Sequence, residues 1–461
     1  MLVRKYIRFR RSVVGNEDVL QELADLHRDV IRLTKEKEKI MALKIGQTSI
    51  PVEAINEIFR QSREESAVEA APTEVSIGTT LSAPSAASVI GERKSSVDQI
   101  SDPRRFFRLS AVDDKYEYYV EPAYRNNMNL SQICDEFRNF ACSSMGLYYE
   151  VKVIRLMLAG LASTKLILLQ GISGTGKTSL PYAMGKFFEN SATIASVQPS
   201  WRDRNELFGY FNEFTKRYNE TEVLRRIYEA SYNDDINIIV LDEMNIARVE
   251  YFFAEMLSIL EMPDPSEWKL ELVPSTWDSD PRHLKDGLLS IPQNVWYIGT
   301  ANNDDSTFSI SDKVYDRALV INLDSKGEAF AAPDTPASRI SYSYVARLYE
   351  EAIAAHPVSD KLMNDIHKID LYVIQKFRVA FGNRIIKQLQ HFVPVYVACG
   401  GTELEGIDYI FATKIFRKFE SLNLSLIRDE IDGLIDCLNT TFGDNTMLEC
   451  ISYLNRLKKM Y

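Results

Sequence analysis

The sequence is poor in cysteine and histidine, and neither residue type is spaced as in a metal site. Its 461 residues include five cysteines and five histidines. An odd, scattered set of thiols without a C-x-x-C pair is typical of a reduced cytosolic protein and argues against a disulfide framework or a structural zinc site. The cysteines are Cys134, Cys142, Cys399, Cys437 and Cys450.

The sequence also lacks a long apolar run, a secretory signal and an excess of positive charge. The best candidate for a membrane span, residues 151–170, is interrupted by Lys152, Arg155 and Lys165. A span requires roughly 20 apolar residues in a row. The basic N-terminus has no apolar core of the kind found in signal peptides. We therefore expect a cytoplasmic protein without a membrane partner. The net charge of −11 disfavours DNA as a partner without excluding it.

Composition and apolar periodicity divide the chain into five segments. Residues 1–45 carry a basic start and an apolar seam that suits a coiled coil, a partner-docking helix or a helix packed on its own chain. Residues 46–105 are rich in Ser, Ala, Thr and Pro, as in a flexible linker. Residues 106–128 form an aromatic-rich bridge, for which we expect a pair of strands. Residues 129–325 alternate between helical and strand-like patterns, and residues 326–461 are helical.

The segment 129–325 contains five short apolar runs. Such strands are expected where helices cover both faces of a parallel sheet. We therefore predict an α/β fold, in which a three-layer domain with a parallel sheet is followed by an all-α lid domain in residues 326–461. The five predicted strands are Leu166–Gln170, Ile194–Gln198, Ile236–Leu241, Val295–Thr300 and Ala318–Leu323.

A complete P-loop, GISGTGKT, follows the first predicted strand. Its glycines allow backbone N–H groups to surround phosphates, and the helix that follows adds its positive dipole end. We expect Lys177 to neutralise β- and γ-phosphate charge and the Thr178 hydroxyl to bind Mg²⁺. The predicted nucleotide-binding residues of this loop are Gly171, Ile172, Ser173, Gly174, Thr175, Gly176, Lys177, Thr178 and Ser179.

A second polar cluster, DEMNIAR, stands at the end of the third predicted strand, at residues 242–248. A P-loop protein needs a carboxylate at a second strand end for its Mg²⁺ shell. We assign this role to Asp242 and predict that Glu243 polarises the attacking water. The apolar residues from Val249 to Leu260 repeat at helical spacing, so they are expected to form a helix that packs against the core.

These motifs together resemble a known family. The P-loop, the DEMNIAR block and the WYIGTANNDD segment at residues 296–305 are similar to motifs of the AAA+ ATPases in the dynein-related and MoxR branch, and most similar to those of McrB-like NTPases. The resemblance spans roughly residues 130–425. It departs from the family at Ile246 and Ser306, where arginine is usual, and at Asn303 and Asp304, which replace Thr-Ala.

The resemblance implies further site residues. Asn302 matches the sensor-1 amide, which holds the attacking water, and Asp305 matches the aspartate that closes that motif. Arg317 stands at the position of the arginine finger, which reaches the nucleotide of a neighbouring subunit. Arg384 stands at the position of the sensor-2 arginine, a nucleotide-binding residue of the lid. The expected catalytic residues are therefore Lys177, Glu243, Asn302 and Arg317.

The resemblance also implies an ATPase that uses Mg²⁺ and assembles as a ring, expected to be a hexamer, with GTP as the alternative nucleotide. Its motifs favour the motor of a McrB-like defence or restriction system, which drives a separate nuclease subunit. The acidic charge and the missing DNA-reading module favour a MoxR-like chaperone that remodels a protein partner. A nucleotide-gated scaffold with low turnover is the third hypothesis.

Overall fold

The five predicted strands form one parallel sheet in the computed structural model of the chain. The structure describes residues 104–302 and 307–459, so the expected N-terminal helix, nearly all of the linker and Asp305 lie outside the described residues. The described residues belong to one compact unit, Val97–Tyr461. The strands are β1 (Leu166–Gly171), β2 (Thr193–Ser196), β3 (Gly209–Asn212), β4 (Arg217–Glu220), β5 (Asn237–Asp242), β6 (Lys269–Glu271), β7 (Leu284–Lys285), β8 (Leu288–Ser290), β9 (Val295–Asn302) and β10 (Ala318–Asn322).

Helices precede, separate and follow these strands. They are α1 (Phe107–Tyr116), α2 (Leu130–Met145), α3 (Val151–Ser163), α4 (Ser179–Phe187), α5 (Asn205–Phe208), α6 (Glu222–Ala230), α7 (Val249–Phe252), α8 (Ala254–Ile259), α9 (Asp312–Arg317), α10 (Tyr342–Ala355), α11 (Asp360–Phe377), α12 (Asn383–Ala398), α13 (Glu403–Ile410), α14 (Leu424–Phe442) and α15 (Leu448–Lys459). A π-helical turn (Phe411–Ile415) and a 3₁₀ helix (Phe416–Ser421) connect α13 to α14.

The strand order of the main sheet is β10-β1-β9-β5-β2, and each pair of neighbours is parallel. Strand β9 therefore lies between β1, which leads into the P-loop, and β5, which ends in Asp242. Parallel strands end at the same edge of a sheet, so the segments that follow β1, β9 and β5 meet there. This order places the three motifs side by side.

Helices cover both faces of this sheet, as the apolar runs predicted. Along β1, Ile167 and Leu169 face one core while Leu166 and Leu168 face the other, as the alternation of strand side chains requires. The first core holds α2, α3, α4 and the C-terminal helices. The second holds α1, α6, α7 and α8. The α/β three-layer architecture is thus present.

The C-terminal residues are helical, but they do not form a core of their own. Helix α12 packs against α3, and its buried Leu389 and Phe392 belong to the same apolar cluster as Ile154 of α3. Within the lid, the rings of Phe377 and Phe419 stack with their centroids 4.3 Å apart. The lid helices therefore share one continuous apolar core with one face of the sheet.

The expectation of a strand pair in the aromatic-rich bridge is wrong, because Phe107–Tyr116 is helix α1. Leu109 and Val112, three residues apart, are both buried on one side of this helix. The carboxylate of Glu220 accepts hydrogen bonds from the N–H groups of Arg108 and Leu109, at 2.8 Å each. Burial at helical spacing and an acceptor for the first turn outweigh the strand preference of the aromatic residues.

The helix predicted over residues 249–260 is divided into α7 and α8 by Phe253, whose φ of −110° and ψ of 5° are not helical. Both Phe252 and Phe253 are buried. Phe252 packs against Trp201, and Phe253 packs against Tyr297. Adjacent residues of a regular helix point about 100° apart, so burying both rings in one core favours a break.

Candidate active site

The P-loop turns away from the sheet directly after β1. Its first residue, Gly171, has a φ of 143°. A Cβ atom added there would lie 2.1 Å from the carbonyl oxygen of Leu323, which follows β10. No side chain tolerates so close a backbone atom, so the turn requires glycine. The loop ends where α4 begins at Ser179, which gives it the positive end of a helix dipole.

Two side chains support the P-loop from within the protein. Lys177 is only 7% exposed, and its Nζ donates hydrogen bonds to the carbonyl oxygens of Gly171, at 3.0 Å, and Ile172, at 2.7 Å. The hydroxyl of Tyr149 donates to the carbonyl oxygen of Gly176 at 3.3 Å. Burial raises the pKa of Tyr149, so its phenol stays protonated and remains a donor. The sequence carried no signal for Tyr149.

The P-loop and the DEMNIAR block meet through one carboxylate oxygen. Thr178 Oγ1 donates to Asp242 Oδ1 at 2.7 Å. Thr300 Oγ1, in β9, donates to the same Oδ1 at 2.9 Å. Asp242 thus lies between the loop on one side and the central strand on the other. Sequence reasoning predicted Thr178 and Asp242 and missed Thr300, although it lies inside the quoted WYIGTANNDD segment.

Glu243 is held in an unusual backbone conformation and presents its side chain to solvent. Its φ of 53° lies in the left-handed region, which is strained for a residue with a side chain. Its N–H donates to Thr300 Oγ1 at 2.8 Å. One hydroxyl therefore fixes the backbone of Glu243 and the carboxylate of Asp242 together. Gly299 makes room beneath them, because a Cβ there would lie 2.0 Å from the Sδ of Met244.

Asn302, the last residue of β9, pairs in register with Gly171, the first residue of the P-loop. The structure therefore places the predicted sensor-1 residue next to the phosphate loop. Asn245 fixes this strand end, because its Nδ2 donates to the carbonyl oxygen of Asn302 and to Thr307 Oγ1, each at 2.9 Å. Arg248 lies apart from this network, with its guanidinium carbon 5.2 Å from the ring centre of Phe308.

The two arginines that were expected to contact nucleotide share one carboxylate partner in this structure, and that partner lies outside the P-loop. Arg317 and Arg384 both form ion pairs with Glu261, each with a different carboxylate oxygen. Arg317 also donates from Nε to the carbonyl oxygen of Leu257 at 3.1 Å and from Nη1 to that of Lys313 at 2.7 Å. Sequence reasoning missed Glu261, which ends an apolar helical pattern and has no motif around it.

Arg317 lies at the opposite edge of the sheet from the P-loop of its own chain. The next residue, Ala318, pairs with Leu166 at the start of β1, whereas the P-loop leaves β1 at Gly171. Five strand residues at about 3.3 Å each separate these positions by roughly 16 Å. Within the part of the chain that the structure describes, neither Arg317 nor Arg384 donates a hydrogen bond to the P-loop.

The residues at the P-loop edge of the sheet fit a Mg²⁺-bound nucleotide. Mg²⁺ prefers oxygen ligands and takes only one or two carboxylates, with phosphates and water completing its shell. The hydroxyl of Thr178 and the carboxylate of Asp242 lie side by side and supply such oxygens. Lys177 and the start of α4 supply positive charge next to them. Among the described residues, no group of three or more His, Cys, Asp or Glu side chains could hold a metal alone.

No family model and no curated protein matches the chain at a significant level. Two solved structures are distantly similar. A proposed ATPase from Cytophaga hutchinsonii has a TM-score of 0.45 and 14% identity, over 72% of this chain and 98% of that protein. A full-length MCM homolog from Methanopyrus kandleri has a TM-score of 0.35 and 11% identity, over 63% of this chain and 61% of that protein. The α/β fold is seen directly in the sheet order and the P-loop described above.

None of the helices among the described residues has the length and apolar character needed to cross a membrane.

Proposed function

We propose that the chain is a AAA+ NTPase that hydrolyses ATP, with Mg²⁺, in a ring of subunits. The observation that carries this proposal is the hydrogen-bonded contact of Thr178 and Thr300 with one oxygen of Asp242. It joins the P-loop, the acidic strand end and the central strand at one sheet edge. A protein that used its P-loop only as a structural turn would not need this convergence.

The residues at this edge divide the work of hydrolysis. Mg²⁺, when bound, neutralises phosphate charge, and Thr178 and Asp242 are the residues that would hold it. Lys177 adds a second positive charge beside the phosphates. Glu243, held by Thr300, accepts a proton from the attacking water, and the Asn302 amide orients that water. Hydrogen bonds of Thr178 and Thr300 hold Asp242 and the backbone of Glu243 in this arrangement, and groups fixed in this way reorganise little during reaction.

Arg317 acts on a neighbouring subunit, and Arg384 is the nucleotide-binding arginine of the lid. The ion pair of Arg317 with Glu261 and its position at the far edge of the sheet favour this role for Arg317 over one at its own P-loop. An arginine finger stabilises transition-state charge only where the active site of another subunit adjoins it. The proposal therefore requires an oligomer, and a hexameric ring is the arrangement that the family resemblance implies.

A direct test compares turnover of ATP and GTP by wild type, Glu243→Gln and Arg317→Ala, with particle imaging of each. We expect ATP to be preferred, Glu243→Gln to bind nucleotide without measurable turnover, and Arg317→Ala to form rings that turn over slowly. The matched control is Glu206→Gln, which changes an exposed glutamate of α5. Monomers under every nucleotide condition would contradict the ring, and absence of turnover in wild type would favour the scaffold hypothesis.

The kind of partner is identified by the molecule that stimulates nucleotide hydrolysis. We propose a McrB-like motor acting with a separate subunit, on the strength of the motif blocks, with a MoxR-like chaperone as the second candidate. The acidic net charge of −11 favours the chaperone. Stimulation by duplex DNA supports the motor. Stimulation by a protein partner, with none by any duplex, supports the chaperone.

A further inference from the structure

A buried lysine of the lid holds the end of helix α9, which carries the proposed arginine finger. Lys414 lies in the π-helical turn Phe411–Ile415 and is 2% exposed. Its Nζ donates hydrogen bonds to the carbonyl oxygens of Tyr315, at 2.8 Å, and Asp316, at 3.4 Å. It also donates to the carbonyl oxygen of Ala318. These acceptors lie on both sides of Arg317 in the sequence.

The contact suits the amino group of a lysine. Lysine is almost never fully buried without partners, and here Nζ lies within hydrogen-bond distance of three carbonyl oxygens, to which it donates with three N–H groups when protonated and two when neutral. The last carbonyl oxygens of a helix have no intrahelical donor, and the helix dipole is negative there. Lys414 therefore donates hydrogen bonds to the carbonyl oxygens at the C-terminal end of α9, next to Arg317. Single π-helical turns are often found at functional sites.

Two further basic residues of the same segment hold the outer face of α9. Arg417 forms an ion pair with Asp312 at 2.5 Å, and its guanidinium carbon lies 3.5 Å from the ring centre of Tyr315. Lys418 forms an ion pair with Asp316 at 2.9 Å. The 3₁₀ helix Phe416–Ser421 thus continues the contact that Lys414 begins.

On its other side, α9 is fixed to the P-loop strand. Gln170 Nε2 donates to the hydroxyl of Tyr315 at 2.6 Å, and Gln170 is the residue before Gly171. Thr164 Oγ1 donates to the carbonyl oxygen of Arg317 at 2.6 Å. Helix α9 therefore lies between β1, which leads into the P-loop of the same chain, and the lid segment that contains Lys414.

We propose that Lys414 is a positioning residue for Arg317. By binding the carbonyl oxygens around Arg317, it sets the direction in which the guanidinium leaves α9 towards the neighbouring subunit. This inference rests on the proposed role of Arg317 as the finger. Lys414 does not touch nucleotide in this scheme, so its loss acts on the rate of hydrolysis through Arg317 and leaves nucleotide affinity unchanged.

The test is a double-mutant cycle between Lys414→Met and Arg317→Ala, measured on the full-length assembled protein. A small misplacement of a reacting group lowers rates by about tenfold to a hundredfold, so we expect Lys414→Met to lower kcat by at least about tenfold. The dissociation constant of a fluorescent ATP analogue should not change. Lys361→Met, the matched control at an exposed lysine of α11, should have wild-type kcat. Adding Lys414→Met to Arg317→Ala should cause no further loss.

The outcomes separate this inference from the proposed function. If Arg317→Ala has wild-type turnover, the finger assignment fails, and the positioning role fails with it. If Arg317→Ala is impaired while Lys414→Met is not, or if the two losses multiply, only the positioning role is contradicted. Should Lys414→Met not fold, Lys414→Gln replaces it, since the amide keeps N–H donors but is shorter than lysine and carries no charge. A loss of kcat of about tenfold or more that disappears in the Arg317→Ala background supports the inference, and unchanged kcat overturns it.

Discussion

Thr178 donates a hydrogen bond to Asp242 over 2.7 Å, although 64 positions separate the two residues in the sequence. The contact links the last residue of the P-loop motif to the end of β5 across the intervening strand β9. Thr300 of β9 completes it by donating to the same carboxylate oxygen. The P-loop and the DEMNIAR block are therefore coupled through a single carboxylate.

We predict that Asp242→Asn abolishes the Mg²⁺ dependence of nucleotide binding. The amide has nearly the same shape as the carboxylate but carries no charge, so it is a poor ligand for a hard cation. Binding of a fluorescent ATP analogue, titrated with and without Mg²⁺, measures the effect. Asp278→Asn, which changes an exposed aspartate, is the control and should keep the full Mg²⁺ effect. An Asp242→Asn variant with wild-type Mg²⁺ dependence would remove Asp242 from the metal shell.

We predict that Thr300→Val lowers turnover while nucleotide affinity changes little. Valine keeps the shape of threonine but removes the hydroxyl that binds Asp242 Oδ1 and the N–H of Glu243. The backbone of Glu243 then loses its support in the left-handed region, and misplacing a general base costs up to about a hundredfold in rate. Thr300→Ser, which restores the hydroxyl, should recover most of the lost kcat.

The measurement is steady-state kcat and KM at saturating Mg²⁺. A Thr300→Val variant in which KM rises and kcat is unchanged would show that the hydroxyl serves nucleotide binding instead of the positioning of Glu243.

Asn245 tests a separate point, because the structure gives it a supporting role. Its Nδ2 holds the carbonyl oxygen of Asn302 and Thr307 Oγ1, while its own buried Oδ1 has no hydrogen-bond partner among the described residues. Asn245→Ala should lower the free energy of unfolding by about 1–3 kcal/mol, nearer the lower value because an unpaired oxygen is removed as well. It should also lower kcat, since the end of β9 is released.

Urea unfolding measures the stability change, with Arg248→Ala as the matched control from the same block. Arg248 is exposed and should cost little stability when removed. Equal losses in the two variants would contradict the supporting role of Asn245.

The sequence was sufficient to predict what depends on local pattern. The five apolar runs became the parallel sheet, and the P-loop and Asp242 met as expected, because strand periodicity and motif spacing are local properties. The break at Phe253 and helix α1 were not predicted, since both depend on which side chains are buried by distant residues. Thr300, Glu261 and Lys414 were missed for the same reason. A single hydroxyl or carboxylate gains its role only when strands or helices far apart in sequence come together.

Stability should depend on pH through Lys414. Burial lowers the pKa of Lys414 from 10.5 to about 7; nearby Asp316 acts to raise it, and Arg417, Lys418 and Arg384 act to lower it further. Between about pH 7 and 10.5 the native protein therefore binds fewer protons at this site than the unfolded chain does. The free energy of unfolding rises with pH wherever the unfolded state binds more protons, so this site contributes stability that increases across that window.

Lys414→Met removes the contribution of this site to the pH dependence of stability. Urea unfolding of both proteins from pH 6 to pH 10 measures the difference, and Lys313→Met is the control. Because the comparison isolates one site, parallel curves for wild type and Lys414→Met would contradict the lowered pKa.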